Sequence, residues 1–130
     1  MLYISADDIV TIHDAVINEI GGSFGIREPG LLMSIAEKPK ANFNGQELYP
    51  DIFVKAAALY EGLCNYHVFV DGNKRTSAIA MYRFLYINGY ELTATNKELV
   101  QYTLQITTTK PDIVDIAKWI KKHSRKVKTI

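Results

Sequence analysis

Apolar residues recur at the helical period along most of this chain, and the breaks between the periodic stretches predict about six helices. The first helix begins after Ser5, has Asp7 and Asp8 in its first turn, and ends at Gly21-Gly22. Its apolar face carries five side chains: Ile9, Ile12, His13, Val16 and Ile20. Because His13 lies within this apolar stripe, a satisfied core histidine is favoured over a catalytic one.

The next two helices are introduced by prolines. Pro29 follows a glycine-rich loop and is suited to the first turn of a short helix that reaches about Glu37. Arg27 lies beside this turn, where it either reaches a phosphate or pins the loop. Pro50 fits the first position of a third helix. The apolar face of that helix consists of Phe53, Ala56, Ala57, Tyr60, Leu63 and Cys64.

A fourth helical run, from Thr76 to Asn88, has hardly any polar face, which predicts a position in the middle of the domain. Thr95 and Glu98 have the spacing of a capping box that starts a fifth helix. Its inward residues are Leu99, Tyr102 and Ile106. Asp112 caps a last helix after Pro111. The inward residues of that helix are Ile113, Ile116, Ala117 and Ile120, with Trp119 at the flank.

These elements predict an all-α fold, a compact bundle of about six helices without a strong strand. A chain of 130 residues is long enough for one core and too short for two, so we expect a single domain over residues 1–130. The segment between Pro39 and Pro50 is irregular. Its Asn44-Gly45 step either closes a small hairpin or belongs to a plain connecting loop.

Composition excludes several classes of protein. Hydrophobic residues make up 48% and charged residues 22%, as in ordinary globular proteins. Cys64 is the one cysteine, so no disulfide can form within the chain and no cysteine metal site exists. The first residues lack the features of a signal peptide, and no apolar run approaches the ~20 residues that cross a bilayer. We therefore expect a cytoplasmic protein without a membrane partner.

Charge is unevenly distributed although the net charge is only +1. All 14 acidic residues precede residue 118, whereas residues 118–130 carry six basic residues and no acid. A basic tail from about residue 121 can contact nucleic acid or an acidic partner. Cations at a last helical turn followed by a solvated end are the favoured explanation, and direct binding of nucleic acid ranks last.

The residues with the most chemistry follow the third helix, in the stretch His67-Val68-Phe69-Val70-Asp71-Gly72-Asn73-Lys74-Arg75. The first N–H groups of a helix have no internal partner and attract anions. Gly72 allows the turn, and Asn73 either caps the helix or faces the reacting centre. Lys74 and Arg75 would repel each other there unless an anion lay between them. The stretch therefore predicts a phosphate-binding site.

Each polar side chain of this stretch has a candidate role. His67 can act as a general base, since an imidazole can take a proton from a hydroxyl that attacks phosphorus. Asp71 is a single carboxylate, which suffices for Mg²⁺ only when nucleotide phosphates supply further ligands, and is otherwise an ordinary turn residue. Arg75 can hold phosphate oxygens bidentately, and Lys74 adds a mobile charge. Asn73 hydrogen-bonds a phosphoryl oxygen or ties the loop together.

The pattern H-x-F-x-D-G-N-K-R resembles the signature of the Fic/Doc superfamily, and Lys74 places the resemblance in the Doc branch, the "death on curing" toxins. Residues 25–32, 47–50 and 88–90 resemble the same branch, so the similarity runs from about residue 5 to residue 122. Two positions depart from the Fic pattern. Val68 replaces a proline, and Ala78 replaces the second arginine that helps hold nucleotide phosphates in the Fic branch.

The resemblance implies a toxin that transfers the γ-phosphate of ATP, with Mg²⁺, to a hydroxyl side chain of a translation elongation factor. His67, Lys74 and Arg75 would then be catalytic, Gly72, Asn73, Lys74 and Arg75 would bind phosphate, and Asp71 would bind the metal. The alternatives are a Fic-type AMP transferase and a non-catalytic module that binds nucleotide or a partner. Lys74 and Ala78 favour the kinase.

The resemblance also implies two protein partners. A flap that includes Asn44, Gly45 and Gln46 would hold the target by strand addition. A Phd-type antitoxin would fold as a helix into a groove, which Tyr3, Tyr49, Phe53 and Tyr60 could line, although core packing is their default explanation. Fic proteins often inhibit themselves with [S/T]-x-x-x-E-[G/N]. Glu61 is followed by Gly62 but preceded four residues earlier by Ala57, so no internal inhibitor is expected.

Overall fold

The computed structural model describes residues 1–127, and these contain six α-helices. The helices are α1 (Ala6–Ile20), α2 (Pro29–Glu37), α3 (Ile52–Asn65), α4 (Asn73–Ile87), α5 (Asn96–Thr109) and α6 (Ile113–Lys122), with one 3-10 turn at Lys38–Lys40. Short antiparallel strands pair as β1 (Asn42–Phe43) with β2 (Gln46–Glu47), and as β3 (Tyr90–Leu92) with β4 (Ser124–Lys126). The all-α prediction is confirmed. No helix within residues 1–127 is long and apolar enough to cross a membrane.

The centre of the bundle is α3, which packs against α4 and α6 most extensively. Ala56, Ala57 and Ala58 are fully buried, and their small side chains let neighbouring helices approach closely. The central position predicted for α4 is wrong. One face of α4 is buried through residues such as Met81 and Phe84, whereas the opposite side remains exposed within the described part of the chain. The exposed apolar residues of α4 are Ile79, Tyr82 and Tyr86.

Helix ends follow the capping chemistry read from the sequence. The side chains of Ser5 and Thr95 form the capping boxes of α1 and α5, and Asp112 accepts from the N–H of Asp115 at the start of α6. Pro50 does not begin α3, contrary to the prediction. Asp51 caps this helix by accepting from the N–H groups of residues 53 and 54, which a proline could not do.

Two further differences from the sequence predictions lie at the ends of elements. Ile20, expected on the apolar face of α1, is the last residue of the helix and is 52% exposed, so the buried face ends at Ile17. Residues 124–126 form β4, a strand that the sequence did not predict, although the side chains of Arg125 and Lys126 remain exposed to solvent as expected. Arg125 in this strand donates to the carboxylate of Glu91 in β3, so the pairing of unlike charges accompanies the backbone ladder. Lys128 lies outside the described residues.

The hairpin β1–β2 is connected to α3 through a buried lysine that the sequence analysis did not single out. Lys55 is 1% exposed, and its Nζ donates to the carbonyl of Pro39 (2.7 Å) and to the carboxylate of Glu47 (2.9 Å). Burial of an ammonium group is costly unless it is paired and hydrogen-bonded, and these two acceptors take two of its three N–H donors. The contact fixes the base of the hairpin to the central helix.

We predict that Lys55→Met lowers the free energy of unfolding by about 2 kcal/mol, because the carbonyl of Pro39 loses its donor in a buried place. The control is Lys40→Met, which removes the exposed ion pair between Lys40 and Glu37 (3.3 Å) and should cost less than about 0.5 kcal/mol. Urea titration measures both values. Equal losses in the two variants would contradict a structural role for Lys55.

Stability should also fall at alkaline pH through Tyr102. Burial, followed by the charge of Asp115, raises the pKa of Tyr102 to about 12. A tyrosine of the unfolded chain ionises near pH 10.0, whereas Tyr102 stays protonated in the folded protein, so unfolding is increasingly favoured from about pH 10 to about pH 12. Tyr102→Phe should flatten the decline of the urea midpoint across this window. An identical decline in the variant and the wild type would contradict the prediction.

Candidate active site

The α3–α4 loop, residues 66–72, is held by the segment before α2. The N–H groups of Arg27 and Glu28 donate to the carbonyl of Val68 (2.7 and 3.0 Å), and the N–H of Val70 donates to the carbonyl of Gly25 (3.1 Å). Two roles were considered for Arg27, a contact with phosphate and a contact that pins the loop. The backbone N–H of Arg27 makes a contact of the second kind. Fixed peptide groups give the loop one conformation.

Side chains of this loop divide between the core and the solvent. Val68 and Phe69 are 0% and 1% exposed, whereas His67 and Asp71 are exposed. The backbone of His67 has a φ of +49°, a left-handed conformation that non-glycine residues adopt infrequently. The buried pair anchors the loop to the core. His67 is thereby presented at the surface, where a general base can meet an incoming hydroxyl.

Asn73 is used within the loop. Its amide oxygen accepts from the N–H of Phe69 and its amide nitrogen donates to the carbonyl of Phe69, both at 3.0 Å. The predicted cap is therefore wrong, since Gly72 occupies the N-cap position of α4 and Asn73 is the first residue of the helix. The alternative in which Asn73 ties the loop together is the one observed. A side-chain amide suits this position because it matches both polar groups of one peptide.

The first turn of α4 has the properties of an anion site. Gly72 has a φ of +74° and no side chain, so no side-chain cap occupies the N–H groups at this helix end. Lys74 and Arg75 are exposed there, and no carboxylate of residues 1–127 lies within ion-pair distance of either. Free N–H groups and two unpaired cations together favour a bound phosphate.

Asp71 is oriented by two backbone donors. Its Oδ1 accepts from the N–H of Gly72 (2.9 Å) and its Oδ2 from the N–H of Ser23 (3.3 Å). Gly22 lies so close that a Cβ there would be 2.6 Å from Oδ2. The close approach of residues 22 and 23 to the Asp71 carboxylate was not predicted from the sequence. The glycines that follow α1 were a signal for it, because a glycine lets another group approach the backbone closely.

The donor set fits a metal ion only if a nucleotide brings it. No group of three or more His, Cys, Asp or Glu residues within residues 1–127 could hold an ion alone. Asp71 offers an exposed carboxylate beside the free N–H groups of α4. One carboxylate with phosphate oxygens and water is the usual environment of Mg²⁺.

A cleft between α4 and α5 continues from the two cations. Its volume is about 420 Å³, and Lys74, Arg75 and Ala78 line it. Most of its remaining wall is apolar: Ile79, Leu99, Val100 and Leu104. An apolar cleft with charged groups at one end has the character of a site for a small molecule with a charged end.

The hairpin expected as a flap is present. Asn44 and Gly45 form its turn with φ values of +51° and +78°, and Gln46 begins β2. All three are exposed, as is Phe43. Tyr60 is 0% exposed and lies within the core, so its inclusion in a partner groove is wrong. Tyr3, Tyr49 and Phe53 are half-buried.

The chain is similar in sequence to known proteins. A model of the Fic/DOC family matches residues 3–85. The chain is 39% identical over 92 residues to Toxin Doc of Mycolicibacterium smegmatis, a match that covers 71% of this chain and 68% of that protein. It is 28% identical over 122 residues to Protein kinase doc of Escherichia phage P1, covering 94% and 95% of the two chains.

The family match contains the whole α3–α4 loop and the first turn of α4, where the free N–H groups, His67, Asp71, Lys74 and Arg75 lie. The chain therefore belongs to the Fic/DOC family.

Proposed function

We propose that this protein is a Doc-like toxin that transfers the γ-phosphate of ATP to a hydroxyl side chain of a translation elongation factor. The observation that carries the proposal is the uncapped first turn of α4, with Lys74 and Arg75 exposed and His67 presented on the adjoining loop. Similarity over almost the full chain to a protein named Protein kinase doc supports phosphate as the transferred group.

In this reaction the hydroxyl oxygen of the target attacks the γ-phosphorus while its proton moves to His67. The bond between the γ-phosphorus and its bridging oxygen breaks, and ADP leaves. The N–H groups of α4, Lys74 and Arg75 stabilise charge on the phosphoryl oxygens, which is the main source of catalysis in phosphoryl transfer. Asp71 would hold Mg²⁺, which neutralises phosphate charge when MgATP is bound.

The cleft beside Lys74 and Arg75 supports a kinase over an AMP transferase. A lysine in place of a glycine fills space at the helix start, and Ala78 removes the arginine that holds phosphates in the Fic branch. Phosphates directed to the first turn and the nucleoside directed into the apolar part of the cleft would present the γ-phosphorus to His67. This arrangement corresponds to the reversed nucleotide that the Doc branch implies.

Two partners complete the proposal. The exposed hairpin at Asn44, Gly45 and Gln46 would add a strand of the target, because short strands leave free backbone groups at their edges. A Phd-type antitoxin would cover exposed apolar surface with a helix. The exposed apolar residues of α4 outside the nucleotide cleft are Tyr82 and Tyr86, and these are available for that contact. Localisation in the cytoplasm, with the translation machinery, belongs to the same proposal.

The proposal predicts that a bacterial translation extract incubated with the protein and MgATP gains label from γ-labelled ATP and none from α-labelled ATP. His67→Ala should reduce the rate of transfer by about 10²–10⁴, because the general base is lost. The control is His123→Ala, a histidine at the end of α6 that stacks on Trp119, and its rate should match the wild type.

Transfer of the α-label would instead identify an AMP transferase. Undiminished transfer by His67→Ala would contradict the assignment of the base, and a His67→Ala variant as toxic to growing cells as the wild type would favour a binding module.

A further inference from the structure

A buried histidine lies directly beneath the α3–α4 loop. His13 in α1 is 1% exposed, and its ring stacks on Phe69 with centroids 3.9 Å apart and planes within 6°. Its Nε2 lies 2.7 Å from the carbonyl oxygen of Asp71. A Cβ at Gly72 would be 3.7 Å from the same ring. One imidazole therefore contacts two residues of the loop, Phe69 and Asp71, and lies beside Gly72. The prediction of a satisfied core histidine is confirmed, and its partners belong to the α3–α4 loop.

The direction of this hydrogen bond follows from chemistry. A carbonyl oxygen only accepts, so Nε2 carries the hydrogen and donates it to Asp71. Nδ1 lies 3.2 Å from the carboxylate of Asp14, the next residue of α1, which is about half exposed. The stack on Phe69 and the neighbouring carboxylate leave the ring little freedom to turn. The donor is thus held in a fixed place under the loop.

The orientation of the Asp71 carbonyl determines what the loop presents to solvent. A peptide plane is rigid, so the carbonyl of Asp71 and the N–H of Gly72 turn together. That N–H donates to Oδ1 of Asp71, and Gly72 is the N-cap of α4. A rotation of this peptide would consequently move both the carboxylate and the entry to the first turn of the helix.

We propose that His13 is a positioning residue for the reaction: its Nε2–H fixes the peptide between Asp71 and Gly72, so that the carboxylate and the helix start face MgATP. The inference rests on the proposed function for the identity of the ligand. Its structural content, the dependence of the loop on the His13 donor, stands apart from which phosphorus is attacked.

Two substitutions separate the donor from the packing. His13→Phe keeps a ring against Phe69 and removes the donor, whereas His13→Gln keeps an N–H donor at a similar reach and removes the stack. A matched control exists in His123, whose ring stacks on Trp119 (4.2 Å) and whose Nδ1 lies 2.8 Å from a backbone carbonyl. His123→Phe makes the same chemical change away from the loop.

The experiment first compares amide hydrogen exchange of residues 68–74 in the wild type and in the three variants, with no nucleotide. Loss of one hydrogen bond should accelerate exchange in this segment about 2–10-fold in His13→Phe. His13→Gln and His123→Phe should exchange there as the wild type does. This measurement does not depend on the activity.

The second measurement is transfer of γ-label at varied MgATP and varied Mg²⁺. His13→Phe should lower kcat by about 10–100-fold and raise the Mg²⁺ concentration for half-maximal rate, since a shift of about 1 Å in a reacting group has effects of this size. His13→Gln should restore most of the rate. The inference would be overturned if amide exchange at residues 68–74 were the same in His13→Phe and in the wild type. It would also be overturned if His13→Phe lowered the rate of transfer no more than His123→Phe does. If the wild type transfers no γ-label, the proposed function fails, and exchange alone decides the role of His13.

Discussion

The candidate site of this protein depends on a helix that starts without a side-chain cap. In α1, α3, α5 and α6, an aspartate, serine or threonine side chain accepts from the first N–H groups. In α4 a left-handed glycine takes that position, and the polar side chain next to it bonds the loop instead. A glycine at the N-cap makes a helix less stable by roughly a few tenths of a kcal/mol than a serine, threonine or aspartate there. Within the described residues α2 also starts without a side-chain cap, but Pro29 lies in its first turn, whereas the start of α4 carries Lys74 and Arg75. An anion can therefore supply the missing contacts at α4.

Such a helix start is useful only if the residues before it keep one conformation, and the loop obtains this from the core. Val68 and Phe69 are buried, the backbone of residues 68–70 is bonded to residues 25–28, and the ring of His13 supports Phe69 and Asp71. The side chains of His67 and Asp71 are exposed on a loop whose backbone these contacts hold in place. The arrangement follows the general requirement that catalytic groups be placed on rigid support.

Local signals in the sequence were sufficient for much of this structure. Helix period and capping residues gave the six helices, and the motif from His67 to Arg75 gave the place of the site, because neighbours in sequence determine both. Contacts between distant residues could not be read in this way. The buried ammonium of Lys55 meets acceptors 16 and 8 residues away, and His13 bonds a carbonyl 58 residues away. The exposed side of α4 was also missed, because apolar composition does not reveal which faces the neighbouring helices leave uncovered.

The left-handed backbone of His67 has a consequence for how such a protein is inactivated. A side chain with a Cβ in that conformation is strained by on the order of 1 kcal/mol, and glycine would relieve the strain. Under the proposed function, replacement of His67 by glycine would remove the general base and would at the same time relieve this strain. A His67→Gly protein would then remain folded and abundant without the base, and under the proposed function it would still occupy an antitoxin and so release active copies.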